Sequence, residues 1–287
     1  MHVKLVKVKS VLNKHRKRDE WFLDDYSLNP YYGCNFGCLY CYIRGGKYGR
    51  DELAVKVNAP TLLEKELAKY VKLGEYGFIA LSSATEPWML GIENRYEITR
   101  ACLNIILKYK FPVHCLTKST LILRDLDILS RVNEEAIVPQ DLRSKVNDGV
   151  LVTFSFSTLN EDLARLFEPR APTPKERINA LMKIRDEGFK VGAAFIPILP
   201  FITDNELEDM VKLIKELNLN YVFFSPLTLS GKCKELFLSV VRSKFPELYG
   251  KYVSLYRYGA SPAKWYRDRF YLSVKELLHR YGLRFGI

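Results

Sequence analysis

Three of the six cysteines lie within eight residues of one another, and this group constrains the chain more than any other feature. They are Cys34, Cys38 and Cys41, in the spacing C-x3-C-x2-C. Thiolates grouped in this way are soft ligands that hold iron-sulfur clusters or zinc. A structural zinc site needs four protein ligands, and neither His15 nor His114 stands at a short offset from the triplet. Three cysteines therefore predict a 4Fe-4S cluster with one open iron. A zinc knuckle or a chance group of thiols is the alternative.

The sequence around these cysteines resembles the radical S-adenosylmethionine (radical SAM) superfamily. The C-x3-C-x-aromatic-C loop of that family is matched here by Cys34, Cys38, Tyr40 and Cys41. Residues 29–34, Asn-Pro-Tyr-Tyr-Gly-Cys, resemble its spore photoproduct lyase-like (DNA repair photolyase-like) subgroup. The resemblance implies that SAM chelates the open iron and is cleaved reductively to a 5′-deoxyadenosyl radical that abstracts hydrogen from a substrate. The cofactor then supplies the chemistry, and the protein supplies orientation and shielding.

Short apolar strands alternate with amphipathic helices along most of the chain. Strands are predicted at 26–32, 76–82, 112–117, 149–156, 190–196 and 221–226, and helices at 61–73, 95–109, 124–133, 174–187 and 204–217. The helices at 61, 174 and 204 each begin near a capping-box pattern. Repeated βα units predict an α/β fold with a parallel sheet, and the resemblance implies a partial (β/α)6 TIM-like barrel of the radical SAM type with a C-terminal helical extension.

The barrel is predicted at 26–230, between a basic N-terminal extension at 1–25 and a helical extension at 231–287 that closes its open side. The chain contains no run of eighteen apolar residues and no apolar core of a signal peptide near its first residues. We therefore expect a cytoplasmic protein without a membrane partner, in a reducing compartment that suits free thiolates.

Function gathers at the carboxyl ends of the strands in barrels of this type. The resemblance implies that residues at these positions bind SAM, with Thr85 and Glu86 receiving its ammonium and Lys118 its carboxylate. The remaining predicted contacts are Tyr40 in the cysteine loop, Ser155 and Ser157 on and after the fourth strand, and Arg170 in a Glu-Pro-Arg-Ala-Pro stretch. The alternatives are a simple turn at 85–87, a surface lysine at 118, and a structural ion pair between Glu168 and Arg170.

One position departs from the subgroup. Spore photoproduct lyase places a hydrogen-donating cysteine just ahead of the polar pair after the second strand, whereas this chain has Ser82-Ser83. A serine O-H bond is too strong to replace a thiol as hydrogen-atom donor. Cys115, Tyr32 and Tyr42 are candidate substitutes, although each cysteine outside the triplet is also consistent with an inert buried thiol.

The net charge of +11 favours a polyanionic partner, DNA or RNA. The basic run at 14–18 is consistent with a phosphate clamp or a solvated loop, and the aromatic and basic residues at 249–271 with base stacking or core packing. We expect a radical SAM enzyme that acts on a nucleic acid lesion or modified nucleotide and takes electrons from ferredoxin or flavodoxin. The alternatives are a peptide, lipid or small-molecule substrate, and a basic nucleic-acid-binding protein whose cluster is structural or redox-sensing.

Overall fold

The computed structural model describes residues 3–44 and 52–287, and its centre is a seven-stranded sheet. The strands are β1 (Lys4–Val6), β2 (Leu12–Lys14), β3 (Asp24–Leu28), β4 (Tyr31–Tyr32), β5 (Ala54–Lys56), β6 (Phe78–Leu81), β7 (Val113–Thr117), β8 (Val150–Phe156), β9 (Lys190–Ile198) and β10 (Tyr221–Pro226). In the large sheet β3, β6, β7, β8, β9 and β10 are parallel neighbours in chain order. The six predicted parallel strands are confirmed, but the first ends at Leu28, and residues 31–32 of its predicted range form β4 in a different sheet. β1, β5 and β4 form a second, small sheet.

Helices connect the successive parallel strands and cover the outer face of the sheet. They are α1 (Ala59–Lys72), α2 (Glu93–Tyr96), α3 (Ile98–Lys108), α4 (Leu126–Glu135), α5 (Glu161–Phe167), α6 (Pro174–Asp186), α7 (Leu207–Glu216), α8 (Gly231–Lys244), α9 (Pro246–Leu255) and α10 (Lys264–Arg280). Residues of β6 to β10 are almost all buried, as expected for a parallel sheet covered on both faces. The mixed α/β architecture agrees with the prediction.

One predicted capping box is present and two are not. Thr173 and Glu176 cap α6 reciprocally, as predicted. The prediction at residue 61 was wrong, because α1 already begins at Ala59, with a proline in its first turn. The box at residue 203 was also wrong, since the Thr203 hydroxyl accepts the Leu199 N-H at 2.9 Å and α7 starts only at Leu207.

The predicted helix at 95–109 is split by Glu97, whose φ is 49°. The carboxylate of Glu93 accepts the backbone N-H groups of Thr99 at 3.0 Å and Arg100 at 3.1 Å, so it satisfies donors at the start of α3. Glu93 is fully buried and is itself paired with Arg124 at 2.7 Å. A side chain of α2 thus fixes where α3 begins.

The N-terminal segment is part of the sheet, because β2 pairs antiparallel with β3. Two of its cations have acidic partners. Lys14 Nζ lies 2.6 Å from Glu75 Oε2, and Arg18 Nε lies 2.9 Å from Asp25 Oδ1. Residues 1 and 2 of the predicted extension lie outside the described residues. Two cations of the basic run are therefore paired with carboxylates of the protein itself, so their positions do not require a bound phosphate.

The C-terminal helices pack through their aromatic side chains. The Tyr252 hydroxyl donates to the Pro200 carbonyl, and the Tyr266 hydroxyl donates to Asp204 at 2.8 Å. Both tyrosines are buried, which agrees with the core-packing interpretation of this segment. In residues 3–44 and 52–287, no helix has the length and apolar character needed to span a membrane.

Gly192 in β9 makes room for the Tyr221 ring inside the barrel. A Cβ atom at residue 192 would lie 2.2 Å from that ring, whose hydroxyl meets Thr153 at 2.9 Å and donates to the Val152 carbonyl at 3.1 Å. We expect Gly192→Ala to lower the free energy of unfolding by about 1–3 kcal/mol through overpacking. Chemical denaturation of the wild type and the variant measures this change in the free energy of unfolding.

The matched control is Gly250→Ala in α9, where an added Cβ meets nothing within 4 Å. This substitution should raise the free energy of unfolding by up to about 1 kcal/mol, because alanine favours helix over glycine. Equal stability of the two variants would contradict the steric explanation.

Candidate active site

A cavity of about 310 Å³ opens at the carboxyl ends of the parallel strands. One wall is formed by the cysteine loop, and it contains Cys34, Cys38, Tyr40, Cys41 and Tyr42. The strand ends form the facing wall, where the predicted residues Thr85, Glu86, Lys118 and Ser155 lie. The structure therefore brings together nine of the predicted site residues around one space.

The cysteine loop is hydrogen-bonded to the end of α5 and the residues after it. The Leu39 N-H donates to the Phe167 carbonyl at 2.8 Å, and the Arg170 N-H donates to the Phe36 carbonyl at 3.2 Å. Gly37 has a φ of 73°, and a Cβ there would lie 2.7 Å from Nη2 of Arg170. Glycine is needed for this close approach.

The chemistry of the three thiols fits an iron-sulfur cluster. All six cysteines are free thiols. Burial raises the pKa of Cys34 to about 12 and raises the pKa of Cys38 as well, so positive iron is needed to stabilise their thiolate forms. Within the described residues no group of three or more His, Cys, Asp or Glu side chains is placed to hold a single metal ion. In a 4Fe-4S cluster each thiolate binds a separate iron, and three thiols that line one cavity match this donor set.

Lys118 presents an ammonium group to the cavity. Its Nζ donates to the Ser155 hydroxyl at 2.6 Å, and Ser155 in turn donates to the Ile196 carbonyl at 3.1 Å. The Lys118 side chain is 14% exposed, and an ammonium carries three donors. Lys118 is therefore a partly buried cation at the cavity and not a surface lysine.

Glu86 fixes the loop after β6. Its carboxylate accepts the Thr117 hydroxyl at 2.5 Å, the Lys118 N-H at 2.9 Å and the Trp88 N-H at 3.1 Å. Burial raises the pKa of Glu86, although these bonds oppose the shift. The side chain of Asn29 holds the same loop by accepting the Ala84 N-H at 3.0 Å. Reception of the SAM ammonium by Glu86 stays a prediction.

Beneath the cavity, Glu168 joins several elements. It accepts the hydroxyls of Tyr40 and, at 2.8 Å, Ser157, and it is paired with Arg177. The predicted alternative of an ion pair between Glu168 and Arg170 was wrong: Arg170 is exposed beside Gly37, and α6 supplies Arg177 instead. Ser157 and Arg170 lie outside the cavity lining, so their contact with a cofactor stays a prediction.

The three candidate hydrogen donors lie in different places. Cys115 is fully buried and lies outside the cavity lining, whereas its neighbour Leu116 lines the cavity. Successive residues of a strand point to opposite faces, so Cys115 faces the helices. Tyr32 packs under the Lys56 ammonium at 4.2 Å. Tyr42 lines the cavity and donates to the Ser83 carbonyl at 2.6 Å.

Sequence reasoning missed two contributors to the site. Arg177 is 1% exposed inside α6, and nothing in its local pattern marks it, since helical arginines are mostly at the surface. Phe22 lies at the floor of the cavity, where its carbonyl meets His114 Nδ1 at 3.0 Å. His114 is buried, and its Nε2 lies 2.7 Å from the Thr153 hydroxyl.

Comparisons with known proteins identify a family and curated relatives. A family model described as the radical SAM superfamily matches residues 28–214. An uncharacterized protein of Methanocaldococcus jannaschii is 30% identical over 78% of this chain and 78% of its own length. An uncharacterized protein of Mycobacterium tuberculosis is 28% identical over 90% of this chain and 75% of its own length.

Solved structures show the same fold at low sequence identity. A cysteine-to-serine mutant of spore photoproduct lyase has a TM-score of 0.70 and 14% identity, covering 97% of this chain and 79% of that chain. A double mutant of the same lyase with bound AdoMet and dinucleoside spore photoproduct has a TM-score of 0.67 and 15% identity, over 97% and 78%. SuiB of Streptococcus suis, bound to its precursor peptide SuiA, has a TM-score of 0.55 and 13% identity, over 91% and 47%.

Proposed function

The chain belongs to the radical SAM superfamily, and from that membership we propose that it cleaves SAM reductively and acts on a nucleic acid lesion or modified nucleotide. When bound, a 4Fe-4S cluster and SAM supply the electron and the 5′-deoxyadenosyl radical. The observation that carries the proposal is the cavity in which three cysteines face the Lys118 ammonium. This cavity places thiols that could bind a cluster opposite an ammonium group that could bind an anion.

The chain's own residues divide the work of holding the cofactors. Cys34, Cys38 and Cys41 would hold a 4Fe-4S cluster through their thiolates, and SAM would bind in the cavity that they line. Lys118 and Ser155 bind the SAM carboxylate through charge-assisted bonds, which are stronger than neutral ones. The largely apolar walls of the cavity would exclude water from the bound cofactor, which limits side reactions.

Two observations support a nucleic acid as substrate. The chain carries a net charge of +11, which favours polyanions. Its fold is that of a lyase solved with a dinucleoside photoproduct, a likeness that supports the substrate class by analogy. We further propose ferredoxin or flavodoxin as reductant and the cytoplasm as compartment, because free cysteines suit reducing conditions.

The test is anaerobic reconstitution of the cluster, followed by reduction in the presence of SAM and cellular DNA or RNA. We expect 5′-deoxyadenosine and an altered nucleoside, both measured by mass spectrometry of the reaction and of nucleic acid digests. Binding of DNA or RNA should also weaken steeply with added salt. Absence of deoxyadenosine would favour a structural or redox-sensing cluster. Deoxyadenosine without an altered nucleoside or salt-dependent binding would favour a peptide, lipid or small-molecule substrate.

Replacement of Lys118 by methionine should weaken SAM binding about 10- to 100-fold, because it removes a charge-assisted bond worth about 1.5–3 kcal/mol. Equilibrium dialysis of SAM against reconstituted protein measures the effect. The control is Lys183→Met, an exposed lysine in the last turn of α6. Similar affinities of the two variants would remove Lys118 from the SAM site.

A further inference from the structure

A buried carboxylate competes for the cation that faces the cavity. Glu168 is 2% exposed, and its Oε1 lies 3.9 Å from Nζ of Lys118. The same oxygen accepts the hydroxyls of Tyr40 and Ser157, which fix its position. At such a distance and burial, a lone carboxylate attracts the ammonium strongly. Left uncompensated, Glu168 would hold Lys118 for itself.

Arg177 supplies the compensating charge. Its Nη2 donates to Glu168 Oε2, on the side of the carboxylate away from the contacts of Oε1. The guanidinium is fixed by two further bonds, from Nε to the Pro172 carbonyl at 2.7 Å and from Nη1 to the Ser155 carbonyl at 2.9 Å. Arg177 makes three directed hydrogen bonds and is 1% exposed, so its guanidinium interacts with protein groups and not with solvent.

The charges of the three residues sum to one positive charge, and the distances show where it lies. Glu168 and Arg177 are in direct contact and cancel each other. Lys118 is 2.6 Å from the neutral Ser155 hydroxyl and farther from the carboxylate, so its ammonium remains directed to the cavity that it lines. Arg177 also holds the backbone of Ser155, which supports the Lys118 contact from the other side.

We propose that Arg177 is a positioning residue that neutralises Glu168, so that Lys118 keeps its positive charge for the carboxylate of the cofactor. The inference rests on the proposed function, because it assumes that the cavity binds SAM. It predicts that Arg177 affects SAM affinity without touching SAM. It also predicts that removal of the competing carboxylate reverses the effect.

The test compares SAM binding in Arg177→Met, Glu168→Gln and the double variant Glu168→Gln/Arg177→Met. Glutamine keeps a carbonyl oxygen to accept Tyr40 and Ser157, and it removes the charge. The matched control is Arg185→Met on the same helix, whose guanidinium binds Asp186 and the Leu217 carbonyl. Equilibrium dialysis of SAM against anaerobically reconstituted, unreduced protein gives the affinities, and iron per chain is measured for each sample.

We expect Arg177→Met to bind SAM at least about tenfold more weakly, in line with the value of a charge-assisted bond, while the double variant returns to within about threefold of the wild type. Wild-type affinity in Arg177→Met, or a double variant as weak as the single one, would overturn the inference.

If Arg177→Met does not fold, the double variant and Glu168→Gln carry the test. Near-wild-type affinity in both supports competition, and a loss above tenfold in either contradicts it. A wild-type protein that loads iron and binds no SAM would overturn the proposed function as well.

Discussion

Cys38→Ala is expected to lose both bound iron and SAM cleavage. With one of the three proposed thiolate ligands removed, iron should fall from about four per chain to below about one, since two thiolates are too few to hold the cluster. The production of 5′-deoxyadenosine should then fall to background, because no reductant reaches SAM. Iron and sulfide analysis and the optical spectrum of the reconstituted protein measure the first effect, and mass spectrometry measures the second.

Cys102→Ala provides the matched control for loss of a thiol. Cys102 is fully buried in α3 and outside the cavity lining, so its removal should leave the iron content unchanged. Cys115→Ala extends the control to a candidate hydrogen donor that faces the helices. A full complement of iron in Cys38→Ala would rule out the ligand set.

Glu168→Ala should lower the free energy of unfolding by about 3–5 kcal/mol, the cost of leaving a buried charge without its partner. The uncompensated charge is the Arg177 guanidinium, which is 1% exposed. The substitution also removes the acceptor for the Tyr40 hydroxyl in the cysteine loop. Denaturant unfolding of the cluster-free protein measures the loss without a contribution from iron.

The control is Glu135→Ala, which removes an exposed glutamate 3.8 Å from Arg131 in α4. Exposed pairs of this kind contribute little, so the change should stay within about 0.5 kcal/mol. Equal losses in the two variants would mean that burial does not decide the value of the Glu168 pair.

Acid should weaken the same contact. Burial by itself raises the pKa of Glu168, but the charges of Arg177 and Lys118 and the bonds from Arg177 and Tyr40 outweigh it and hold the pKa at about 2. A pKa below the unfolded value means that the stabilisation is complete above about pH 4.5 and is lost as the pH falls toward 2. The wild type should therefore lose stability in this interval, and Glu168→Ala should lose less.

Local patterns predicted the repeating units well. Six parallel strands follow from short apolar runs between amphipathic helices, and the capping box at Thr173 follows from a spacing of three residues. Boundaries failed where a distant partner intervened. The side chain of Asn58 at the start of α1 bonds the backbone of Val8, and Glu93 caps α3 from another helix.

The candidate site also contains some residues that the sequence predicted and others that it did not. The sequence placed Lys118 and Glu86 at strand ends, and parallel strands bring such ends together. It placed Glu168 next to Arg170 and gave no sign of Arg177, because two residues of separation along the chain say nothing about which cation a buried carboxylate meets. It also could not say which face of β7 is internal, and so whether His114 or Cys115 points into the barrel.

The sequence by itself determined the close spacing of three thiols, the alternation of strands and helices, and the strand ends that carry polar side chains. These depend on spacings of a few residues, which the chain expresses locally. Only the tertiary structure decided that Arg177 compensates Glu168, that Lys118 stays directed to the cavity, and that Cys115 lies outside it. Such contacts depend on which elements pack together, and that is set by burial across the whole fold.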